Sequence, residues 1–395
     1  MAAGDVFEAE IERIAGGGAG LARPGGKVVF IPYSAPGDRL RGRVIRDHGG
    51  WAEAGILELI SASPLREEPR CPLYPAAVLS AGPDCGGCSL QHLSYNAQLE
   101  VKEAIIRESF NRIAHIPLGE ITVVPSPPWE YRNRIQLHRG EGAPGFKSAA
   151  GGGVVPLGDC PVADPGIRAL LRSGELRAPP GKDRFTLYAR GELRLLEGGQ
   201  SRGKLRVRDR ELLMDAGIFF QSNAAALELL IGEILDLAEE AALGADMSLP
   251  LADLYCGVGT FASFLADRFP RIDLLERNPA ALALARTNVP PEKARFFALT
   301  DNEWVKKKER ENPPPEYGLI IADPPRQGLS PAMRRWLGRA PAPLLIYVSC
   351  DPAALARDSG ELLKGWEKPV LKLFDFYPQT AHIESLAVFK RKHAG

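Results

Sequence analysis

Long hydrophobic runs and an excess of charge of one sign are both missing from this 395-residue chain. No apolar run is long enough to cross a membrane, and the N-terminus MAAGDVFEAEIERI lacks the basic start and apolar stretch of an export signal. The 49 Lys and Arg residues are balanced by 49 Asp and Glu residues, so the basic excess typical of nucleic-acid-binding proteins is absent too. We therefore expect a cytoplasmic protein with no membrane partner.

Cysteine is also scarce, with six residues in the chain, and the 41 Gly and 34 Pro residues form no period. These features exclude a disulfide-stapled miniprotein and a collagen-like repeat. In a reducing compartment the cysteines are expected to serve metal binding or catalysis rather than disulfides. The hydrophobic share of 45% and the charged share of 25% are typical of globular proteins, and the length predicts two or three domains.

The first two segments of the chain differ in pattern. Residues 1–62 carry short strand candidates at 7–14, 27–32, 38–45 and 51–60, separated by turn residues, which predicts a small β-barrel. A structural module and a nucleic-acid-binding module fit this pattern equally well. Residues 63–215 are irregular and rich in Pro and Gly, with one amphipathic helix predicted over 94–113.

From residue 216 onward, apolar strands alternate with helices. Helices are predicted at 224–241, 261–269 and 280–288, and strands at 249–255, 272–275, 318–322, 344–348, 370–376 and 386–390. Alternating strands and helices indicate a parallel sheet covered on both faces. The sequence therefore predicts a doubly wound α/β domain over 216–395.

A glycine-containing turn follows the first strand of this domain. The segment Asp-Leu-Tyr-Cys-Gly-Val-Gly-Thr at 253–260 lets the backbone approach a ligand closely at the carboxyl edge of the sheet. Glu276 ends the next strand, where a carboxylate can accept hydrogen bonds from two ribose hydroxyls. The spacing fits neither the dinucleotide fingerprint nor the P-loop, so a nucleoside cofactor without phosphate is favoured over a tight turn with no ligand.

Three further loops at strand ends carry reactive groups. Asp323-Pro324-Pro325-Arg326 is a stiff loop that can orient its two charged side chains. Cys350 precedes a helix predicted to begin near residue 353, and the helix N-terminus is expected to stabilise its thiolate. Glu384 follows His382-Ile383 in a turn, where a lone carboxylate is usually only solvated. Cys256, within the glycine turn, is most simply a small buried residue.

The other four cysteines form a separate constellation: Cys71, Cys85, Cys88 and Cys160. The Cys85-Gly86-Gly87-Cys88 spacing places two thiols within reach of one metal ion or cluster. Spacing alone leaves zinc, an iron–sulfur cluster and free thiols open.

Together, these motifs resemble those of the RNA 5-methyluridine methyltransferase family, in particular its members with an N-terminal TRAM domain and an iron–sulfur cluster. The resemblance covers nearly the whole chain and is carried by Cys-Gly-Gly-Cys at 85, Tyr-Arg-Asn-Arg at 131, Asp-Cys-Pro-Val at 159, Phe-Phe-Gln-Ser-Asn at 219, Asp-Leu-Tyr-Cys-Gly at 253, Asp-Pro-Pro-Arg at 323, Val-Ser-Cys-Asp-Pro at 348 and His-Ile-Glu-Ser at 382.

The resemblance implies a C-terminal Rossmann-like methyltransferase domain at 216–395, an OB-like TRAM barrel at 1–62 that binds RNA, and an α+β central domain at 63–215 that binds a cluster and RNA. Helix 94–113 is then a candidate to pack on the catalytic domain. The implied S-adenosylmethionine site comprises Gln221, Tyr255, Thr260, Glu276, Asn302 and Asp323. The implied ligands of a four-iron, four-sulfur cluster are Cys71, Cys85, Cys88 and Cys160. Thirteen residues separate Cys71 from Cys85, more than is usual in the family, and a longer loop can still close because closure cost grows slowly with length.

The resemblance also implies a mechanism, in which Cys350 adds to uracil C6 so that C5 can take the methyl group, and Glu384 then removes the C5 proton. The reacting uridine is expected to be unpaired or flipped out of its stack. We expect a monomer acting on 23S ribosomal RNA, with the T-loop uridine of transfer RNA as the alternative.

Other classes fit less well. A DNA cytosine methyltransferase normally carries its cysteine after a proline in the region where this chain has Asp323 to Arg326, and an amino-methylating enzyme would want an aromatic residue at Arg326. A catalytically silent RNA-binding iron–sulfur protein is disfavoured by the intact pair of Cys350 and Glu384. In a chain of zero net charge, RNA contacts are expected at local basic positions, namely the 202–210 stripe and Arg132 with Arg134.

Overall fold

A computed structural model describes residues 1–75, 84–149, 151–240 and 243–392. The chain divides into two compact units: the first comprises Met1–Ile105, Pro127–Arg190 and Tyr377–His382, and the second comprises Ile106–Ser126, Gly191–Phe376 and the chain from Ile383 onward. This grouping joins most of the first two predicted domains and assigns residues 191–215 to the unit that contains the α/β region. In the part of the chain that the structure describes, no helix combines the length and apolarity needed to span a bilayer.

The elements are numbered in chain order. The strands are β1 (Val6–Glu10), β2 (Arg13–Ile14), β3 (Gly20–Ala22), β4 (Val28–Ile31), β5 (Arg39–Asp47), β6 (Trp51–Ser61), β7 (Ile121–Val124), β8 (Arg134–His138), β9 (Gly145–Lys147), β10 (Val154–Pro156), β11 (Arg184–Arg190), β12 (Leu193–Leu196), β13 (Arg202–Val207), β14 (Arg210–Asp215), β15 (Leu251–Leu254), β16 (Ile272–Leu275), β17 (Ala294–Phe297), β18 (Leu319–Ala322), β19 (Leu344–Ser349), β20 (Val370–Phe374) and β21 (Glu384–Lys390). The helices are α1 (Tyr95–Ser109), α2 (Pro165–Arg172), α3 (Ala224–Glu239), α4 (Thr260–Leu265), α5 (Pro279–Asn288), α6 (Asp301–Lys308), α7 (Pro331–Arg339) and α8 (Pro352–Leu362).

The N-terminal strands form one sheet in the order β1-β5-β6-β4-β3-β2, built around a buried apolar cluster that includes Ile11, Val29 and Leu40. The predicted β unit is therefore confirmed, whereas closure into a barrel stays a prediction. The predicted strand over 7–14 is wrong in one respect, because the chain turns a corner at Ile11. There the backbone N–H of Ile11 donates to Asp38 and the N–H of Glu12 donates to Leu21, so the chain changes partner strand.

The segment predicted to be irregular contains regular structure. Strands β10, β9, β8 and β11 are neighbours in that order. Helix α2 begins at Pro165, and the Asp164 carboxylate caps it by accepting a hydrogen bond from the Gly166 N–H. The strands are short and separated by Pro- and Gly-rich turns, which hides their alternation in the sequence. Helix α1 agrees with the predicted helix 94–113, and a π-helical turn at Phe110–Ala114 ends it at His115.

The basic stripe at 202–210 is a hairpin rather than one strand. Strands β13 and β14 pair antiparallel, and Arg208 adopts a left-handed φ of 51° in the turn. Arg202 pairs with Asp215 at 2.9 Å and Lys204 pairs with Glu211 at 3.5 Å. Arg210 pairs with Asp267. Acidic partners therefore neutralise much of the charge that the stripe was expected to offer to RNA.

The second unit is built on an eight-stranded sheet in the order β17-β16-β15-β18-β19-β21-β20-β7. Strands β17, β16, β15, β18 and β19 are parallel, and β21 runs antiparallel to both β19 and β20. The predicted α/β domain is confirmed, although its sheet is mixed and not purely parallel. The predicted helix 224–241 ends at Glu239, and its last predicted residue lies outside the described residues.

Candidate active site

Three of the predicted cofactor residues follow directly after neighbouring parallel strands. Leu254 at the end of β15 is in register with Leu275 of β16 on one side and with Ala322 of β18 on the other. The next residues in the three strands are Tyr255, Glu276 and Asp323. Because the three strands are in register, these residues lie side by side at the carboxyl edge of the sheet. Open α/β folds bind their ligands at this edge.

The turn after β15 holds an unusual backbone conformation. Tyr255, Gly257 and Gly259 have left-handed φ values of 63°, 55° and 78°. At Gly259 an added Cβ would lie 3.0 Å from Cγ2 of Val289, so the turn needs glycine there for space as well as for conformation. A tyrosine with a left-handed backbone conformation costs conformational energy, and such strained residues cluster at ligand-binding sites. Thr260 begins α4 directly after the turn.

Backbone amides hold the Glu276 carboxylate in place. Its Oε2 accepts a hydrogen bond from the Gly257 N–H at 3.1 Å, and its Oε1 accepts one from the Asn278 N–H at 2.6 Å. A carboxylate oxygen can accept more than one hydrogen bond, so both oxygens remain able to bind ribose hydroxyls. The predicted role of Glu276 stays a prediction, and the structure supplies a fixed orientation for it.

Oδ1 of Asp253, in β15, and Oε1 of Gln221, which precedes α3, are buried oxygens with no hydrogen-bond partner in the described part of the chain. Buried polar atoms are usually paired, so both are candidates to meet a ligand. Asp253 was not among the predicted site residues, although a charged residue inside an otherwise apolar strand is a recognisable signal. Burial, with the charges of Asp323 and Glu276, raises the pKa of Asp253 to about 8.

A second missed residue, Asp301, links the glycine turn to α6 and α7. Its Oδ2 accepts a hydrogen bond from the Tyr255 hydroxyl at 2.9 Å and from the Ser330 N–H at 3.3 Å. The predicted cofactor residue Asn302 is exposed next to it, and its side-chain oxygen accepts a hydrogen bond from the Ser330 hydroxyl at 3.3 Å. Tyr255 and Asn302 are therefore tied to one network.

Sheet register also brings the two predicted catalytic residues together. Ser349, the last residue of β19, pairs with Ser385 of β21 in an antiparallel ladder. Cys350 and Glu384 each lie one residue beyond this pair, and the charge of Glu384 acts on the Cys350 thiol, so the two residues are neighbours at the sheet edge. Glu384 is buried and Cys350 is half-buried.

The expected effect of the helix on Cys350 is wrong in direction. Burial, followed by the charges of Glu384 and Asp323, raises the pKa of the Cys350 thiol to about 12, while Arg326 lowers it. The N-terminus of α8 is occupied by the Asp351 carboxylate, which accepts a hydrogen bond from the Ala354 N–H at 2.7 Å. Because a carboxylate already caps the helix, its N-terminus does little for the thiolate.

The carboxylates beside Cys350 share its low-dielectric surroundings. Burial, with the charge of Glu276, raises the pKa of Asp323 to about 7. Burial and the charge of Asp323 hold the pKa of Glu384 well above its ordinary value. Arg326 is exposed on the same loop as Asp323. The edge thus gathers carboxyl groups in low-dielectric surroundings, where a cationic ligand would favour their charged forms.

Sequence reasoning also missed Asp358 of α8, a fully buried carboxylate. Its Oδ2 accepts hydrogen bonds from the Leu329 N–H and the Tyr347 hydroxyl, both at 2.8 Å. Its Oδ1 accepts hydrogen bonds from Arg357 at 2.7 and 2.9 Å and from Arg334 at 3.2 Å. These contacts fully satisfy the carboxylate.

This carboxylate clamps the loop that begins at Asp323. Gly328 has a left-handed φ of 72°, and a Cβ there would lie 2.5 Å from Oδ2 of Asp358. Arg357 also donates a hydrogen bond to the Gln327 carbonyl at 2.7 Å. Helix α8 thus follows Cys350 in the chain and holds the loop of Asp323 and Arg326 through its own side chains.

The four remaining cysteines lie in the first unit and line one small cavity, which we call the cysteine cavity: Cys71, Cys85, Cys88 and Cys160, with Gln91, Arg132, Phe146 and Leu157. In the described ranges, no group of three or more His, Cys, Asp or Glu side chains is arranged to hold a metal ion. Burial raises the pKa of Cys88 to about 12 and that of Cys160 to about 11.

Hydrogen bonds bring Cys71 to this cavity despite its distance in sequence. The Cys71 N–H donates to Oε1 of Gln91 at 3.2 Å, and the Cys85 N–H donates to the Leu73 carbonyl at 2.8 Å. Gln91 is buried and also interacts with the Cys88 thiol. The long loop therefore closes onto the Cys85 to Cys88 segment.

Arg132 lines the cysteine cavity, so it is not the surface contact for RNA that the sequence suggested. Burial disfavours its charge, but the neighbouring groups Tyr131, Tyr377, Cys160 and Cys88 hold its pKa above the ordinary value. Its Nε is buried and has no hydrogen-bond partner among the described residues. A buried cation without a full set of partners is costly unless negative charge is placed beside it.

Comparisons with known proteins agree with this geometry. The family model described as tRNA (uracil-5-)-methyltransferase matches residues 189–392. A relative from Treponema denticola, described as an uncharacterized RNA methyltransferase, is 31% identical, with 93% of this chain and 94% of the relative covered. The 23S rRNA (uracil(1939)-C(5))-methyltransferase RlmD of Pseudomonas fluorescens is 30% identical, with 96% of this chain and 93% of the relative covered.

One solved structure matches over almost the full length. It is the Pyrococcus abyssi tRNA (uracil-54, C5)-methyltransferase in complex with S-adenosyl-L-homocysteine, with a TM-score of 0.71 and 25% sequence identity. The match covers 97% of this chain and 100% of that one. The mixed α/β fold of the second unit is thus the fold of S-adenosylmethionine-dependent methyltransferases.

Proposed function

The chain belongs to the tRNA (uracil-5-)-methyltransferase family, and from this premise we propose that it methylates C5 of one uridine in 23S ribosomal RNA. As a member it is an S-adenosylmethionine-dependent RNA methyltransferase that acts on uracil. The observation that carries the proposal is the position of Cys350 and Glu384, each one residue beyond the paired Ser349 of β19 and Ser385 of β21. The choice of ribosomal RNA is supported by the relatives named RlmD, which align with nearly the whole chain.

Transfer RNA is the second candidate substrate. It is favoured by the near-complete structural match to an enzyme described as acting on uracil 54 of transfer RNA. The two candidates share the same chemistry, so they differ only in which RNA presents the uridine to the sheet edge.

The proposed cofactor site consists of Gln221, Tyr255, Thr260, Glu276, Asn302 and Asp323, to which the orphaned oxygen of Asp253 is added. The bound cofactor supplies an electrophilic methyl group on a positively charged sulfur. Glu276 is oriented for the ribose hydroxyls, and Asp323 and Asp253 present carboxyl groups to a cation. The unpaired Oε1 of Gln221 can accept a hydrogen bond from an amino or hydroxyl group of the ligand.

The proposed reaction uses these two neighbouring residues, Cys350 and Glu384, in turn. As a thiolate, Cys350 forms a bond from Sγ to C6 of uracil, and the electrons of the C5–C6 double bond make C5 nucleophilic. After C5 has taken the methyl group, Glu384 as a carboxylate removes the C5 proton. The C5–C6 double bond then re-forms as Sγ leaves C6 with its electron pair, which gives 5-methyluridine. Arg326 assists because it lowers the pKa of Cys350.

We further propose that the cysteine cavity holds a four-iron, four-sulfur cluster. The four thiols that line this cavity would be its ligands, since iron–sulfur clusters are held by cysteine thiolates. The anionic cluster would supply the negative charge that buried Arg132 lacks. Positive iron would also favour the thiolate forms of Cys88 and Cys160.

The domain roles are proposed on the same basis. Residues 1–62, which have their own apolar core, would form a TRAM-like RNA-binding barrel. Residues 63–215 would bind the iron–sulfur cluster and RNA. Residues 216–395 would form the catalytic domain. A monomeric state and a cytoplasmic location stay predictions.

The test is to map 5-methyluridine in total RNA from cells with and without the gene for this chain. The proposal expects one uridine of 23S ribosomal RNA to lose its methyl group and to regain it when the purified chain and S-adenosylmethionine are added. Loss confined to transfer RNA would establish the second candidate. Unchanged 5-methyluridine throughout, with no transfer to unmodified transcripts in vitro, would overturn the assignment.

A further inference from the structure

A second cavity in the first unit shares Asp159 and Pro161 with the cysteine cavity, and none of the proposed roles uses it. Its volume is about 750 Å³, and its walls include Arg70, Pro72, Trp129, Asp159, Pro161 and Arg168. Such a volume is in the range of sites that hold a drug-sized ligand or a nucleotide. We call it the Trp129 cavity.

An aromatic ring and a guanidinium group are stacked on one wall of this cavity. The Cζ atom of Arg70 lies 4.7 Å from the centre of the Trp129 ring. Arg70 is exposed, Trp129 is half-buried, and no carboxylate of the described residues forms an ion pair with Arg70. Unpaired nucleobases stack on both kinds of planar group, because every base offers a flat π-face.

Another part of the lining is polar. Arg168 donates two hydrogen bonds to Asp159, both at 2.9 Å, and also pairs with Glu130. Arg172, which is not part of the lining, donates a further hydrogen bond to Asp159 at 2.7 Å. The carboxylates of the lining are thus engaged by Arg168 and Arg172, which leaves the Arg70 guanidinium to meet a ligand.

Backbone conformation fixes Trp129 in place. The next residue, Glu130, has a left-handed φ of 57°, and its N–H donates to the Pro161 carbonyl at 3.1 Å. A non-glycine residue in this conformation is uncommon and is held only where its surroundings enforce it. The stacking surface is therefore built in before any ligand arrives.

We propose that the Trp129 cavity binds one unpaired nucleotide of the RNA substrate, other than the methylated uridine, with its base stacked on the Trp129–Arg70 pair. The inference rests on the proposed function for the identity of the RNA, and on the stack, the volume and the guanidinium group of Arg70 for the site. It assigns to the first unit a defined contact with an unpaired base, in addition to general attraction for the phosphate backbone.

The test compares Trp129→Ala, Trp129→Phe and Arg70→Ala in the full-length chain, with methyl transfer to a 23S ribosomal RNA transcript as the measurement. Loss of one stacked base is expected to raise KM about tenfold in Trp129→Ala, because stacking contributes roughly a factor of ten or more in affinity. The value of kcat should stay unchanged, and Trp129→Phe should restore most of the affinity. Arg177→Ala is the matched control, since Arg177 is an exposed arginine of the same unit that contacts only nearby backbone carbonyls.

A second arm identifies the nucleotide. Short substrates are made with one base removed at each position near the target uridine, and each is assayed with the wild type and with Trp129→Ala. One position should raise KM in the wild type and have no further effect in the variant, because the two changes remove the same contact. An unchanged KM in Trp129→Ala, or additive effects at every position, would overturn the inference. If the wild type modifies only transfer RNA, the same series on that RNA tests the cavity, so the two proposals fail separately.

Discussion

Cys350 and Cys88 of the cysteine cavity are both half-buried but have different neighbours. Burial raises the pKa of both Cys350 and Cys88 to about 12. Beside Cys350 stand the carboxyl groups of Glu384 and Asp323 and one exposed arginine, whereas Cys88 faces other thiols and the buried Arg132. Burial alone therefore does not decide what a thiol does. A thiol next to a base can add to a substrate and leave again, whereas thiols grouped around a cation are suited to permanent ligation.

Among the substitutions that test this difference between the two groups of cysteines, Cys350→Ala is expected to have the largest effect on methyl transfer. Removal of the nucleophile should reduce single-turnover methyl transfer by about 10⁴-fold or more. The measurement is transfer of a radiolabelled methyl group to the RNA transcript. Cys256→Ala is the control, because Cys256 is a buried cysteine of the same unit with no proposed reaction. Full transfer by Cys350→Ala would exclude the covalent mechanism.

Glu384→Gln comes next, because it keeps the shape of the side chain but removes the base. Turnover should fall about a thousandfold, the usual range for loss of a general base. A covalent RNA–protein adduct should accumulate and survive denaturing electrophoresis. The double variant with Cys350→Ala should form none. Absence of the adduct in Glu384→Gln would remove Glu384 from its assigned role.

The third prediction concerns the pH dependence of Cys350 reactivity and follows from the raised pKa of its thiol. The thiolate fraction below pH 12 increases about tenfold per pH unit, so alkylation of Cys350 by iodoacetamide should be about a hundredfold faster at pH 9 than at pH 7. Peptide mass spectrometry gives the rate. Arg326→Ala should slow alkylation at every pH, since Arg326 favours the thiolate. A rate that levels off near pH 7 would mean that the helix N-terminus dominates after all.

A smaller effect is expected from Asp358→Asn, which weakens the clamp on the loop of Asp323 and Arg326. A small displacement of that loop should lower kcat about tenfold, since misplacement by about 1 Å can cost a hundredfold. The KM for RNA should change little, which separates positioning from general loss of the fold. Glu309→Gln is the control, because Glu309 pairs with the exposed Arg339, which is not a partner of Asp358. Equal effects in both variants would show that the clamp has no special role.

The smallest effect on the chemical step is expected from Cys88→Ser in the cysteine cavity. The variant should lose the visible absorption of the cluster and melt at a lower temperature, because binding of a metal centre contributes directly to folding stability. Single-turnover methyl transfer at saturating RNA should change little. If transfer were abolished while the melting temperature stayed normal, the two groups of cysteines would share one chemical role.

Sequence reasoning succeeded where a residue's role depends on local pattern. Strand β16 was predicted with its observed bounds, and the cofactor residues after β15, β16 and β18 follow from strand ends alone. Helices α6 and α7 were missed, since α6 has few apolar residues and α7 is signalled only by the Ser330 cap and Pro331 at its first turn. The charge state of Cys350 was predicted wrongly, because it depends on carboxylates that only the folded sheet brings near.

Asp301 and Asp358 show a related limit of sequence reasoning. Each is an ordinary acidic residue in the sequence, and its role arises from partners that the fold brings together. For Asp358 these partners include Tyr347, which is eleven residues away, and Leu329, which is 29 residues away. A single sequence contains no local signal for such contacts.

The antiparallel pairing of β21 with β19 has a consequence for how the spacing of the reacting groups can change during evolution. Glu384 and Cys350 each lie one residue beyond the Ser349–Ser385 pair of a hydrogen-bonded ladder, so the ladder sets the spacing between them. A single residue inserted early in β21 would turn every following side chain to the opposite face. The fold could absorb such an insertion by shifting the preceding turn, but a different side chain would then lie beside the sulfur. The spacing between Cys350 and Glu384 can therefore change only by whole residues of the ladder. The length of the loop before His382 can vary without changing that spacing.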